Sequence, residues 1–247
     1  MEPAPKTGVR RFLSALRRFQ RGITEPIRIG RHRALTSSRI AAYLAGTKSP
    51  RLILGSGVHR TAGWLASDIA PTDGSAIYLD ARRRLPFADD AFDYVFAEHM
   101  LEHISYSSGA ALVREIFRVL RPGGIFRVAT PDLGAVARLI AEPNDASAQQ
   151  FIDVSSKLFG VDGAKRASFA VNRFFYWWGH RFIYDQQTLE HVLRDAGFAQ
   201  IDRRFPGQSP HEALRKLEIH GDGVGEIMNN YETMVLEATK PSRNGPP

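Results

Sequence analysis

Short apolar runs, several of which end in glycine or aspartate, limit the folds that this chain can adopt. Five such runs lie at residues 51–54, 64–69, 76–79, 92–97 and 125–130. Short apolar runs bounded by turn residues are typical of buried strands. A helical pattern precedes the last run and stops at the Pro122-Gly123-Gly124 turn. Strands that alternate with helices or short connections predict a parallel sheet, with a ligand site at the carboxyl ends of its strands.

The second half of the chain is less regular. Residues 134–185 contain an aromatic run, Phe174 to Trp178, followed by His180. Five successive aromatic side chains cannot all face one core, so we predict that the run forms a lid or an acceptor pocket; the alternative is a helix packed on the sheet edge. A helix over 188–196 and two strands, at 200–204 and 232–239, complete the pattern.

Composition narrows the class of protein. The 247 residues suffice for one large α/β domain. The lack of cysteine excludes disulfides, thiolate metal sites and a cysteine nucleophile. No run approaches the ~20 apolar residues of a membrane-spanning helix. We therefore expect a cytoplasmic protein.

The positive charge is concentrated at the amino terminus. The net charge of the chain is +7, and residues 1–50 hold eleven Lys and Arg against Glu2 and Glu25. We divide the chain into a basic arm over 1–48, a domain over 49–240 and a frayed tail over 241–247. Apolar residues from Val9 to Phe19 recur at helical spacing among arginines, which predicts an amphipathic helix. That helix either packs on the domain or contacts an anionic membrane surface. No nucleic-acid module follows, so nucleic acid is not an expected partner.

The strand ends carry residues suited to a nucleoside cofactor. A glycine turn lets the backbone approach the ligand, and a carboxylate at the next strand end accepts hydrogen bonds from the ribose. Gly55 and Gly57 fit the first role and Asp68 fits the second. Asp80, at the third strand end, is placed to accept a hydrogen bond from the adenine amine.

Several short motifs in order resemble the class I S-adenosylmethionine-dependent methyltransferases, specifically the methyltransferase type 11-like group. The resemblance covers roughly residues 50–205. It is carried by Leu54-Gly-Ser-Gly57, Leu85-Pro-Phe87, His99-Met-Leu-Glu-His103, Arg118-Val-Leu-Arg-Pro-Gly-Gly124 and Ala196-Gly-Phe198. It implies a Rossmann-like three-layer fold, with a seven-stranded, mostly parallel sheet whose last strand is antiparallel.

The resemblance also implies a cofactor site for S-adenosylmethionine. The turn Gly55-Ser56-Gly57 would border its methionine and ribose portions. Asp68 with Ile69 would hold the ribose hydroxyls, and Asp80 with Ala81 would flank the adenine. Glu98 would lie near the transferable methyl group.

Three features depart from the family pattern. Ile53 stands where an acidic residue is common, and His59 replaces the third glycine of the turn. The short interval between Gly57 and Asp68 leaves no room for the usual helix between the first two strands. These departures keep open a catalytically inactive cofactor-binding or scaffold protein. His59 also argues against a nucleotide-dependent oxidoreductase, whose fingerprint needs a glycine there.

Methyl transfer from a sulfonium is an in-line displacement, so the protein mainly aligns the reactants. A hydroxyl acceptor would gain from a general base. The candidates are His99, then His180, then Asp132 after the fifth strand. We expect the acceptor atom to be an oxygen or nitrogen of a small molecule or a sugar. The segment His99 to His103 also matches the H-x-x-E-H zinc signature, but it follows a strand instead of lying in a long helix, so no metal is expected.

Overall fold

The computed structural model describes residues 26–160 and 165–242. The predicted amphipathic helix between Val9 and Phe19 lies outside these residues, as does the end of the predicted tail. In the part of the chain that is described, no helix is long and apolar enough to cross a membrane.

Seven strands form one sheet in the order β3-β2-β1-β4-β5-β7-β6. The strands are β1 (Arg51–Leu54), β2 (Leu65–Asp68), β3 (Ala76–Tyr78), β4 (Phe92–Glu98), β5 (Leu120–Pro131), β6 (Gln200–Arg204) and β7 (Thr233–Thr239). The pairs from β3 to β5 are parallel, and β7 runs antiparallel to both of its neighbours. The predicted seven-stranded sheet with an antiparallel last strand is confirmed.

The helices cover the sheet and its carboxyl edge. They are α1 (Pro26–Gly46), α2 (Tyr106–Val119), α3 (Leu133–Ala141), α4 (Ala146–Phe159), α5 (Ala167–Tyr176), α6 (Gln186–Asp195), α7 (His220–Val224) and α8 (Glu226–Glu232). Short 3-10 turns lie at Leu101–His103 and Glu212–Leu214. Three helices, α3 to α5, thus lie in the region that looked irregular in the sequence. Polar N-caps begin several helices: Ser105 accepts a backbone N–H at the start of α2, and Asp185 does so for α6.

The central strands are buried on both faces. Leu52, Ile53 and Leu54 of β1 are each at most 1% exposed, which is why this strand shows no apolar–polar alternation. The order places β1 beside β4, where the chain changes direction across the sheet. Ligands of open α/β sheets bind at such a switch point, outside the carboxyl ends of the strands.

The connection between β1 and β2 contains no helix. Residues 55–64, all of them described, form turns, as their number predicted. The sheet face that such a helix would cover is packed by the connection between β6 and β7. Its Leu214 and Leu217 join a buried cluster with Ile53, Phe96 and Ile125.

An ion network fixes this connection to the sheet. Arg127 of β5 is fully buried and pairs with Glu218 and Glu237, each at 2.6 Å. Its guanidinium also donates to the carbonyl oxygen of Gln208 at 2.9 Å. A buried charge requires such partners. Arg127 thus ties two points of the β6–β7 connection to the centre of the sheet.

Helix α1 packs beside the outer strand β3. Ile40 belongs to the main core, and the Arg39 guanidinium donates to the carbonyl oxygen of Ala76 at 3.2 Å. The Tyr43 hydroxyl accepts from the backbone N–H of Arg51 at 2.8 Å, at the start of β1. The second half of the predicted arm is therefore packed against the sheet, and the domain boundary at residue 48 stays a prediction.

Candidate functional site

The glycine turn after β1 opens toward the carboxyl edge of the sheet. Gly55 and Gly57 both have positive φ, +64° and +52°, which glycine adopts without strain. A Cβ on Gly55 would overlap the side chain of Met100, so the chain approaches closely there. A Cβ on Gly57 would meet no described atom within 4 Å. The turn therefore presents Gly57 to an open space.

Asp68 lies beside this turn, as predicted. Its Oδ2 accepts the backbone N–H of Gly57 at 2.8 Å, and its Oδ1 accepts that of Ala70 at 2.7 Å. The Ser56 N–H donates to the carbonyl oxygen of Ser67 at 2.9 Å and closes the same corner. The ends of β1 and β2 are thus joined, and Ile69 continues the chain at this edge, partly exposed.

Asp80 forms the next acidic position along the edge. Its carboxylate pairs with the exposed Arg82 at 2.8 Å, and this hydrogen bond lowers the pKa of Asp80. Ala81 follows it and packs against the core. Both residues lie where the sequence places them, and the ion pair with Arg82 is a feature that the sequence did not predict.

Glu98, at the end of β4, is held by the β6–β7 connection. Its Oε1 accepts the backbone N–H groups of Ile219 and His220 at 3.0 and 2.8 Å. The next residue, His99, has a φ of +44° and stacks on the His220 ring with centroids 3.7 Å apart. Positive φ is rare for a residue other than glycine and clusters at functional sites. Sequence reasoning missed His220, because it lies more than a hundred residues beyond β4.

A cavity of about 170 Å³ begins at His99. Its wall has an ionisable side and an apolar side. The ionisable side chains are His99, Glu102, His103, His180, His220 and Glu232. The apolar side is formed by Pro131, Phe159, Phe174, Trp178, Val224 and Met228. The cavity lies at the carboxyl ends of β4 and β5 and at the start of β7.

Glu102 is the fully buried carboxylate of this cavity. Its Oε2 accepts a hydrogen bond from the Thr130 hydroxyl at 3.1 Å. Its Oε1 lies 3.3 Å from Nδ1 of His99, yet no described residue gives this oxygen a hydrogen bond of regular geometry. Burial alone would raise the pKa of Glu102, but the contact with His99 and the charges of the neighbouring histidines hold it at about 2. The carboxylate is therefore ionised.

The contact between His99 and Glu102 also shifts the pKa of His99. Burial lowers its pKa, but the contact with Glu102 and the charge of that carboxylate outweigh the burial, so the pKa is raised. Its Nε2 lies 3.2 Å from the hydroxyl of Thr233. Both ring nitrogens of His99 thus have polar neighbours.

His180 presents a different arrangement. Its Nδ1 lies 2.7 Å from the carbonyl oxygen of Phe174. A carbonyl can only accept, so Nδ1 carries the proton and Nε2 keeps its lone pair. Burial lowers the pKa of His180, which favours the neutral ring. His180 is therefore a neutral imidazole with a basic nitrogen at the cavity.

The structure does not bring Asp132, the third candidate base, into the cavity. Its Oδ1 accepts the N–H of Gly134 as the N-cap of α3, and its Oδ2 pairs with Arg203 at 2.9 Å. Both oxygens are thus used to begin a helix and to bind a cation. The sequence position, directly after β5, does not reveal this capping role, because a strand end and a helix N-cap coincide there.

The aromatic run is divided between the cavity and the surface. Phe174 and Trp178 line the cavity, four residues apart across the end of α5. Phe175, Tyr176 and Trp177 are exposed. The pocket prediction fits two of the five aromatic residues, and helical geometry separates them from the other three.

Comparison with known proteins supplies a family for the central segment. Residues 53–128 match the family model described as "Methyltransferase domain". Curated relatives include the ubiquinone/menaquinone biosynthesis C-methyltransferase UbiE of Neisseria gonorrhoeae, 27% identical over 51% of this chain and 47% of the relative. The same-named protein of Vibrio parahaemolyticus is 29% identical over 51% of this chain and 45% of its own length. The chain thus spans about half the length of the curated relatives it matches.

Solved structures with a similar chain course include a SAM-dependent methyltransferase from Archaeoglobus fulgidus. It has a TM-score of 0.47 and 15% identity, over 84% of this chain and 94% of that one. A possible histamine N-methyltransferase from Thermotoga maritima gives 0.46 and 14%, over 92% and 99%. The match over residues 53–128 and the observed sheet order confirm the predicted resemblance to the class I methyltransferases, type 11-like.

Proposed function

We propose that this protein transfers a methyl group from S-adenosylmethionine to an oxygen or nitrogen of a small acceptor. The observation that carries the proposal is the position of the ionisable cavity. Met100 packs on the glycine turn. In the sequence it lies between His99 and the buried Glu102, which both line the cavity. A cofactor seated on the turn and an acceptor in the cavity would therefore meet at the end of β4.

The cofactor would occupy the edge formed by the first three strands. Backbone around Gly57 has open space for it, and Asp68 is fixed beside that space to accept hydrogen bonds from ribose hydroxyls. Asp80 would meet the adenine amine after exchanging its contact with Arg82, whose side chain is exposed. Glu98, at the end of β4, accepts the backbone N–H of His220 and so fixes the β6–β7 connection next to this edge.

The displacement itself needs alignment more than covalent chemistry. A protonated acceptor also needs a base, and Nε2 of His180 has the lone pair and the neutral ring that this task requires. His99 is the second candidate, because its ring nitrogens already contact Glu102 and Thr233. The apolar wall with Phe174 and Trp178 would hold the body of the acceptor.

A carbon acceptor is the second candidate function. The curated relatives are named as C-methyltransferases, and a carbon next to a phenolic hydroxyl also becomes nucleophilic when a base removes the hydroxyl proton. A sugar remains within the proposed acceptor class, and an inactive cofactor-binding protein remains the alternative to an enzyme. We also propose a cytoplasmic location, with membrane contact through the basic arm. Deleting residues 1–25 tests that contact without disturbing α1, whose Ile40 is part of the core.

The decisive measurement is calorimetric titration of the full chain with S-adenosylmethionine and S-adenosylhomocysteine. Asp68→Ala should weaken both by ten-fold or more, since a hydrogen bond to a charged group contributes about 1.5–3 kcal/mol. Asp195→Ala is the matched control, because that carboxylate is exposed on α6 and pairs with His191. No binding by folded wild-type protein would contradict the proposal.

Turnover on a panel of alcohols, amines, sugars and phenols then separates the acceptor classes. His180→Gln should lower kcat while leaving the affinity for S-adenosylmethionine unchanged. Cofactor binding without turnover on any member of the panel would favour the inactive alternative. Methylation at a ring carbon would replace the oxygen or nitrogen acceptor with the second candidate.

A further inference from the structure

We propose that Glu102, His103 and His180 form a binding site for one divalent transition-metal ion, Zn²⁺ being the probe of choice. One ligand atom from each of the three residues lies within 4.8 Å of the others, on the wall of the cavity. Two imidazoles and one carboxylate are a known set of protein ligands for zinc. The sequence pairs His99 with His103, whereas the structure joins His103 to Glu102 and to the distant His180.

The first support is Oε1 of Glu102, which lies 3.3 Å from Nδ1 of His99 without a hydrogen bond of regular geometry. This side chain is fully buried, and among the described residues nothing donates a regular hydrogen bond to Oε1. A buried carboxylate oxygen without a hydrogen-bond donor destabilises the folded protein. We therefore expect this oxygen to have a partner, such as a bound cation. Oε1 lies 4.0 Å from Nε2 of His103. Both atoms can therefore reach one ion after small side-chain rotations, since ligand atoms of a tetrahedral zinc site lie about 3.3–3.5 Å apart at Zn–N and Zn–O distances of about 2.0–2.1 Å.

The second support is the state of His180. Its protonated Nδ1 donates to the carbonyl oxygen of Phe174, and this is the contact that orients most metal-binding histidines. The remaining nitrogen, Nε2, is the one that can bind an ion.

The third support is the way the backbone joins the two parts of the site. The carbonyl oxygen of Glu102 accepts the N–H groups of Arg181 and Phe182 at 2.7 and 3.2 Å. The Thr130 hydroxyl holds the other carboxylate oxygen at 3.1 Å. These bonds fix the ligand-bearing segments relative to each other, so little conformational entropy is left to lose on binding.

Three protein ligands leave a coordination position for a water or an acceptor atom, as in catalytic zinc sites. At this position the ion would favour the deprotonated form of a bound hydroxyl. That role in catalysis rests on the proposed function, whereas the metal binding itself does not. His180 would then act as a ligand, and the ion would replace it in activating the acceptor.

The test uses the full chain, stripped with a chelator and titrated with Zn²⁺ in a calorimeter, with Co²⁺ absorption as a second measure. We expect one ion per chain and a visible Co²⁺ spectrum typical of nitrogen and oxygen ligands. His180→Ala and His103→Gln should each weaken binding by 100-fold or more. Glu102→Gln, which keeps the shape and the Thr130 contact, should do the same. His191→Ala is the control, since this histidine lies exposed on α6 beside Asp195.

Equal Zn²⁺ affinity in the wild type and the three site variants, or no binding above that of surface histidines, would overturn the proposal. Circular dichroism and titration with S-adenosylmethionine on each variant show whether the domain is folded. If one variant does not fold, the other two still decide the outcome. Retained cofactor binding without metal binding would reject the metal site and leave the proposed function standing.

Discussion

Gly109 and the Tyr184 hydroxyl offer a test of the packing beside the cavity. Gly109 lies in α2, and a Cβ built on it would overlap Oη of Tyr184. Tyr184 is fully buried, and its hydroxyl has no hydrogen-bond partner within residues 26–160 and 165–242. Gly109 therefore leaves space for a buried hydroxyl that forms no hydrogen bond with the described residues.

The expected magnitudes follow from these contacts. Overpacking costs about 1–3 kcal/mol, whereas replacing glycine by alanine inside a helix contributes about 0.5–1 kcal/mol. Gly109→Ala should therefore lower the free energy of unfolding by roughly 1 kcal/mol. Tyr184→Phe removes an unpaired buried hydroxyl and should raise that free energy by about 1 kcal/mol.

The double variant, Gly109→Ala with Tyr184→Phe, tests whether the Tyr184 hydroxyl causes the overlap. With the hydroxyl gone, the Cβ of residue 109 would meet Cδ1 of Leu101 at 3.4 Å and Cζ of residue 184 at 3.7 Å, which are tolerable contacts. Gly109→Ala should then stabilise the Tyr184→Phe protein by about 0.5–1 kcal/mol. The assay is urea unfolding followed by circular dichroism. The same destabilisation by Gly109→Ala in both backgrounds would show that the Tyr184 hydroxyl does not limit the space beside residue 109.

Further predictions concern pH, the glycine turn and the buried ion network. Burial raises the pKa of Tyr184 to about 12 from 10.0, so wild-type stability should fall between pH 10 and 12, where only the unfolded chain ionises, by about 3 kcal/mol; Tyr184→Phe should lack this fall in pH-dependent urea unfolding. Gly57→Ala should cost about 1–2 kcal/mol of stability at its φ of +52°, yet reduce calorimetric affinity for S-adenosylmethionine at least ten-fold; an unchanged affinity would mean that the open space is not the cofactor's. Arg127→Met should cost about 3–5 kcal/mol, because it leaves the buried carboxylate of Glu218 without its cation and Glu237 with Arg204 alone. Arg194→Met, at an exposed ion pair, should cost less than about 1 kcal/mol, and equal thermal shifts for the two would contradict this account.

Much of the proposed cofactor edge was predictable from local sequence. The strand ends at Gly55, Asp68 and Asp80 follow short apolar runs, and parallel strands bring their carboxyl ends to one edge. The turn between Gly57 and Asp68 was predictable from the number of residues in this segment, since so few residues leave no room for the usual helix. These features depend on residues that are close together in the sequence, so local sequence patterns are enough to predict them.

The surroundings of the candidate catalytic residues were less predictable. His99 and His180 do line one cavity, but Asp132 caps a helix and binds Arg203 instead. Position after a strand places the backbone of a residue at the edge, whereas the direction and partners of its side chain depend on what packs there. His220 lies in the β6–β7 connection, where no sequence motif indicates a functional residue.

The order of the elements, the glycine turn and the acidic strand ends follow from local periodicity and spacing, so the sequence alone was enough to predict them. The packing of the β6–β7 connection, anchored by Arg127, on the sheet face left uncovered after β1 could be seen only in the folded protein. The same folding brings His180 to Glu102 and His220 to His99. Such contacts join residues far apart in the chain, and their energies depend on burial and on partners that exist only once the chain has folded.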